Sequence, residues 1–172
     1  MKKTARVIIT YACDRKCPGC CNTMEHDIQN ITDIKELKEY KEIVITGGEP
    51  LLYPQEVLDF INELRKQDCK IFLYTAKTDI WKEKYAEILK QLDGITVTLH
   101  AECTDDDIRN LQLFAKQKVD NYDARLFIDT RVYDRYDVSN IDFSPWNVVR
   151  KLRWKKECHP APNEDLLYFS II

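Results

Sequence analysis

Short apolar runs rich in β-branched residues alternate along this chain with stretches whose apolar positions recur every three or four residues. The runs Arg6–Tyr11, Glu42–Thr46, Lys70–Thr75, Ile95–His100 and Ala124–Asp129 predict five strands. Between them, Thr32–Lys41 predicts a short helix with Ile34, Leu37 and Tyr40 near one face. A second helix opens at Pro54 and buries Val57, Leu58, Ile61 and Leu64. A third is capped at Asp79, carries Trp81, Tyr85, Ile88, Leu89 and Leu92, and stops at Gly94. A fourth is capped at Thr104 and buries Ile108 and Leu111, with Phe114 or Ala115 beyond them. After Asp129 the pattern weakens, although Val148–Trp154 reads as a sixth strand and Leu166–Ile172 is strand-like.

Repeated strand–helix units predict an α/β fold with a parallel sheet and helices outside it. Five or six such units are too few to close an eight-strand barrel, so the expectation is an open partial (β/α) barrel. Functional groups then gather at the carboxyl ends of the strands. The fourth strand sets Ile95, Val97 and Leu99 on one face and Thr96, Thr98 and His100 on the other. The fifth sets Leu126 and Ile128 against Arg125, Phe127 and Asp129. The aliphatic faces must pack on helices, which turns the polar ones toward the interior and predicts a ligand cavity.

Composition narrows the class. The 172 residues suit a single domain, with a core at 4–130 and a C-terminal extension at 131–172. Hydrophobic content of 44% and charged content of 32% are those of a soluble globule, and a net charge of −3 gives no global case for nucleic acid or membrane binding. No apolar run approaches the roughly 20 residues that span a bilayer, and Val7–Ile9 is too short for an export signal. Seven cysteines, four of them within residues 13–21, argue against a disulfide framework and for a metal site in a reducing compartment, the cytoplasm.

Cys13, Cys17 and Cys20 are spaced Cys-x3-Cys-x2-Cys. Three soft sulfur ligands suit an iron–sulfur cluster or zinc. A structural zinc wants four closed ligands, usually as two pairs, whereas a cubane on three cysteines leaves one iron open. Downstream, Ile43-Val-Ile-Thr ends in Gly47-Gly48-Glu49-Pro50, where glycines at a strand end permit close backbone approach. The cysteine spacing followed by strand-Gly-Gly-Glu-Pro resembles the radical S-adenosylmethionine (SAM) enzymes over about two-thirds of the chain.

That resemblance implies a [4Fe–4S] cluster on Cys13, Cys17 and Cys20, with SAM chelating the free iron and its amino group met by Gly47, Gly48, Glu49 and Pro50. It implies an oxygen-sensitive, anaerobic oxidoreductase in which one electron, from a flavodoxin- or ferredoxin-type donor, splits SAM and yields a 5′-deoxyadenosyl radical that abstracts hydrogen from a substrate. Thr98 and His100 match the fourth-strand segment that contacts cofactor in such enzymes; Thr75 matches the third, while Ala76 and Lys77 replace Asn and Gly. Arg125 pairs either with the SAM carboxylate or with Asp129, and His100 and Asp129 are the candidate catalytic groups. Gly19 stands where relatives often carry an aromatic residue near adenine. The segment Cys17-Pro-Gly-Cys-Cys-Asn22 is similar to the cluster loop of anaerobic ribonucleotide reductase activating proteins, which implies a glycyl-radical enzyme as partner. A small molecule, nucleoside or peptide remains the alternative substrate, and a non-catalytic zinc or Fe–S binding module the alternative class. The basic run Arg150–Lys156 is either a solvated face or a dock for an acidic partner.

Overall fold

The structure, a computed structural model, describes residues 4–20, 22, 28–116, 123–155 and 160–172. Among these residues eight strands form one open, fully parallel sheet: β1 (Thr4–Ile8), β2 (Gln29–Asn30), β3 (Glu42–Thr46), β4 (Lys70–Thr75), β5 (Gly94–Leu99), β6 (Asp123–Asp129), β7 (Val148–Leu152) and β8 (Glu164–Tyr168). Their order across the sheet is β2-β8-β1-β3-β4-β5-β6-β7. Among the described residues three α-helices accompany it: α1 (Pro54–Leu64), α2 (Ala86–Gln91) and α3 (Asp105–Phe114). The five expected central strands are present and neighbours in sequence pair in space. Among the described residues no helix is long and apolar enough to cross a membrane.

The alternation seen in the sequence decides which face does what. Val7, Ile45, Leu73, Val97 and Leu126, one from each central strand, are fully buried in the core, which they share with Val57, Ile61, Ile88, Leu111 and Phe114 of the helices. The opposite face carries Arg6, Thr46, Tyr74, Thr96, Thr98 and Phe127, which surround a cavity. Helix α3 starts at Thr104 as expected, in a capping box with Asp107, and three aspartates in its first turn complement the helix dipole.

Three local expectations change. The segment after β2 forms a six-residue 3-10 helix, Ile34–Glu39, rather than an α-helix. Its ends are pinned, Ile31 N–H to Tyr168 and the Tyr40 hydroxyl to Asp165 at 2.6 Å, and a 3-10 helix covers more length per residue. The third helix is broken: Lys82 is extended and only Glu83–Tyr85 (3-10) and α2 coil. Its start is held elsewhere, with Ile80 fully buried and Trp81 donating to Asn110 at 3.2 Å, and these anchors override the periodicity. Gly94 does not stop that helix; it opens β5, where a side chain would strike the Phe72 ring.

The two strands beyond residue 130 join the sheet itself. β7 extends it past β6, and β8 inserts beside β1 in register Arg6↔Leu166, sealed by a bidentate Arg6–Glu164 pair at 3.1 and 2.8 Å.

Candidate active site

The cysteine loop grows from the end of β1 and is laid against the end of β3 by backbone bonds. Ile9 N–H donates to Thr46 O (3.0 Å), Gly48 N–H to Thr10 O (2.7 Å) and Glu49 N–H to Ala12 O (2.9 Å). This contact explains both glycines. A Cβ on Gly47 would overlap Thr10 O, one on Gly48 would overlap Ala12 O, and Gly47 sits at φ 143°, which side chains disfavour. The glycines therefore admit the chain's own loop. Both also line the cavity.

Glu49 is fully buried and does not line the cavity. Its Oε1 accepts from Leu51 N–H (3.0 Å) and the Thr75 hydroxyl (2.7 Å), and its Oε2 from Ala76 N–H (2.9 Å). Burial pushes its pKa up, against those bonds and the Lys77 charge, which pull it down. The carboxylate locks the β3 turn to the end of β4. Pro50 opens the buried 3-10 turn Pro50–Leu52 behind it and likewise stays out of the cavity.

Cys13, Cys17 and Cys20 all line the cavity, Cys13 exposed and the other two half-buried. Cys20 N–H closes a turn onto Cys17 O at 3.1 Å through Gly19, at φ 82°. The Cys17 thiol donates to Glu102 at 3.0 Å; burial, then that carboxylate, push it far above the usual thiol range. Ligand atoms of Cys17, His100 and Glu102 lie within 4.8 Å of one another. Cys21 lies outside the described residues, as do Cys158 and Lys156. Cys69 is half-buried against the core, and Cys103 is a buried core thiol, its pKa pushed up to about 11 by burial.

Three ionic clasps fix the loop. Arg15 bonds Asp107 at 2.6 Å, and Asp107 also takes the Thr78 hydroxyl at 2.7 Å, so one carboxylate joins loop, β4 end and α3. Asp14 pairs with Lys77, which gives the Lys in place of Gly a task. Asp129, fully buried, accepts from Arg131 Nε (2.9 Å) and NH2 (2.6 Å) and from Trp154 N–H (3.2 Å). Burial opposes it, but these donors hold its pKa at about 2. Arg131 in turn donates to Pro18 O and Trp154 O, both at 3.3 Å. Asp129 is thus a clasp between β6 and the chain at Trp154, and it is not among the residues that line the cavity.

Arg125 pairs with Asp123 (Nε at 2.8 Å) rather than with Asp129, stacks over Phe72 and is not among the residues that line the cavity. Its position low on β6 sets this: Asp123 lies two residues back on the same face. Thr75 and Thr98 do line the cavity, Thr75 with its hydroxyl spent on Glu49. His100 lines it too, edge to Trp154 at 4.8 Å, with Nδ1 unpartnered among the described residues; burial lowers its pKa.

Glu102, Trp154, Tyr74 and Arg6 are site residues that sequence reasoning missed. Arg6 and Tyr74 were legible in principle, since each alternates with buried aliphatics on its strand. Glu102 and Trp154 sit past strand ends, where no periodicity reaches. Gly19 is explained by the last of these: a Cβ there would lie 3.1 Å from Trp154 O, so the Trp154–Lys155 backbone fills the place beside the loop and the Trp154 ring lines the cavity.

The cavity measures about 650 Å³, within the roughly 300–1,000 Å³ typical of cofactor and small-molecule sites. Three thiols lining one cavity suit a cluster with an open iron better than closed zinc, because a Cys17–His100–Glu102 site would use one thiol of the three. Thr96, also in the cavity lining, is 1% exposed and its Oγ1 has no partner among the described residues, which leaves it free to bond a polar ligand. The donor set fits an iron–sulfur cluster with a polar cofactor beside it.

A search among curated proteins found no match. The sequence profile of the radical SAM superfamily, however, matches residues 7–126, from β1 through β6, and so covers the cysteine loop, the Gly-Gly-Glu-Pro turn and the inward face of β5. The chain belongs to the radical SAM superfamily, an enzyme family that implies a [4Fe–4S] cluster and SAM.

Proposed function

We propose that Cys13, Cys17 and Cys20 hold the [4Fe–4S] cluster, that SAM binds in the adjoining cavity, and that hydrogen is taken from a glycine of a partner glycyl-radical enzyme. The observation that carries the cofactor reading is the convergence of three thiols, two Cβ-free glycines and an unpartnered buried hydroxyl on one cavity. When bound, the pair supplies one-electron cleavage of SAM to methionine and a 5′-deoxyadenosyl radical. The chain's residues bind and orient. Backbone groups at Gly47–Gly48 offer acceptors to an ammonium, while Glu49 and Thr75 hold that backbone in place. His100, kept neutral by burial at neutral pH, can exchange a hydrogen bond without burying a charge. Ile8, Phe127 and Leu166 exclude water.

Support for the glycyl-radical partner is the loop Cys17-Pro-Gly-Cys-Cys-Asn22. The Asn22 amide, in the orientation that satisfies its neighbours, donates to Gly47 O (3.3 Å) and accepts from Gly48 N–H (3.1 Å), tying loop to turn. A second reading, a small molecule or peptide as substrate, is favoured by the cavity wall that Leu152, Trp154, Pro160 and Leu166 build from the C-terminal part. The free thiols suit a reducing compartment, and we assign the protein to the cytoplasm of cells living anaerobically.

Anaerobic reconstitution should load about four irons per chain; Ala at Cys13, Cys17 or Cys20 should abolish loading, and Cys21→Ala should not. With strong reductant the holoprotein should release 5′-deoxyadenosine. Adding a co-encoded glycyl-radical enzyme should give a glycyl doublet by electron paramagnetic resonance. Tightly bound zinc without visible absorbance sinks the cofactor reading. No doublet, with turnover of a peptide or nucleoside, favours the second substrate reading.

A further inference from the structure

The cavity does not stop at the thiols. The register Arg6↔Val44, Val44↔Phe72 and Phe72↔Gly94 sets Arg6 level with Gly94, six residues before His100, or roughly 20 Å along the strand direction. Tyr74 pairs with Thr96 and so stands two residues nearer the thiols. Both side chains line the cavity, among the apolar walls of Ile8, Phe127 and Leu166.

Glu164 holds Arg6 through Nε (3.1 Å) and NH2 (2.8 Å), and the guanidinium makes no other bond among the described residues. A guanidinium carries five N–H donors, so donors remain for a ligand although the charge is already paired. The Tyr74 hydroxyl has no hydrogen-bond partner among the described residues. Burial raises its pKa, and the charge that acts on it most strongly is that of Arg6, so it stays a donor beside Arg6. The clasp between β1 and β8 accounts for the Glu164 bond. It does not account for a tyrosine in the same wall, where phenylalanine would pack without an unmet donor. Among the described residues that line the cavity, Arg6 is the one Lys, Arg, Asp or Glu. An anion bound here would therefore find no uncompensated cation to offset its desolvation, and a cation would meet donors where it needs acceptors. An uncharged acceptor, the carbonyl of an amide, suits both donors.

We infer that Arg6 and Tyr74 form a substrate subsite at the inner end of the cavity, which grips an uncharged amide carbonyl of the substrate with two donors. The inference rests on the cofactor reading above, with SAM at the thiol end, and it narrows the substrate class. A peptide bond beside the reacting glycine presents such a carbonyl, and so does the lactam of a nucleobase. A free acid or a phosphate ester at this end does not fit. The subsite positions the substrate and takes no part in the hydrogen transfer.

The test uses anaerobically reconstituted holoprotein with SAM and no reductant, so that binding is read without turnover. The probes are triglycine capped by acetyl and amide groups, and uridine, each followed by calorimetry. At least one should bind, and which one does so names the source of the amide. Tyr74→Phe, which removes only the hydroxyl, should weaken that probe about twofold to tenfold, with iron content and SAM affinity as in wild type. Arg6→Lys keeps a charge opposite Glu164 but loses the planar fork, and should act in the same direction. Where circular dichroism shows that Arg6→Lys unfolds, Tyr74→Phe decides alone. Acetate at the same concentration should not compete; competition reveals an anion site and overturns the amide assignment. Unaltered probe binding in Tyr74→Phe, or a loss of SAM affinity in its place, overturns the subsite alone. So does a holoprotein that holds cluster and SAM yet binds neither probe. A wild type that takes up no cluster overturns the cofactor reading and the subsite together.

Discussion

Replacing Glu49 with alanine should act first on stability and only through it on cofactor binding. The carboxylate is fully buried and accepts three bonds, from Leu51 N–H, the Thr75 hydroxyl and Ala76 N–H, at 3.0, 2.7 and 2.9 Å. Each bond to a charged acceptor contributes about 1.5–3 kcal/mol, and each donor left dry costs about 1–3 kcal/mol. Against this stands the relief of a buried charge, so the net loss should be about 3–5 kcal/mol, as when one partner of a buried ionic arrangement is removed. For a chain of this size that lowers Tm by about 6–20 °C. The pH dependence has a sign. Burial raises the folded-state pKa of Glu49 above its ordinary 4.5, so the folded protein keeps a proton the unfolded chain releases. That contribution is complete below pH 4.5 and is lost as pH rises through the folded pKa. Urea melts of cluster-free protein by circular dichroism, across that window, should show the slope in wild type and its absence in Glu49→Ala. Thr75→Val should cost about 1 kcal/mol by the same account. A Glu49→Ala protein as stable as wild type, yet weak in SAM binding, would refute the locking role and return Glu49 to direct contact with the cofactor.

Gly48→Ala should displace the cysteine loop, because the new methyl overlaps Ala12 O and breaks the Gly48–Thr10 and Glu49–Ala12 backbone bonds; iron content after reconstitution should fall severalfold, and full loading would exclude the steric account. Asp129→Asn should cost about 2 kcal/mol at neutral pH, from a carboxylate held at about 2 rather than 3.8. Its sign is opposite to that of Glu49: the stabilisation is present above pH 3.8 and lost as pH falls through about 2, so acid unfolding curves of variant and wild type should converge at low pH. Asp107→Asn should loosen the loop through Arg15, seen as faster iron release to a chelator with little change in helix content.

Much of the fold follows from short-range pattern. The alternation in Ile95–His100 and Ala124–Asp129 assigns each side chain to helix layer or cavity, because a pleated strand turns successive residues to opposite faces. Proline 54 and Thr104 begin helices where first-turn geometry and side-chain capping favour them. Cysteine spacing and Gly-Gly-Glu-Pro are likewise local, and they sufficed to indicate the cofactor class.

Tertiary structure decided everything that depends on partners distant in sequence. Glu49 reads as a cofactor contact until Thr75 and Ala76, more than 25 residues away, claim both its oxygens. Asp129 and Arg125 share the inward face of one strand, yet Arg131 and Trp154 take the first and Asp123 the second. The place of β8 beside β1, closed by an Arg6–Glu164 pair spanning 158 positions, leaves no periodic trace in either segment. Periodicity records which way a side chain faces; which group waits for it there depends on chain crossings whose energy is realised only when the sheet has assembled.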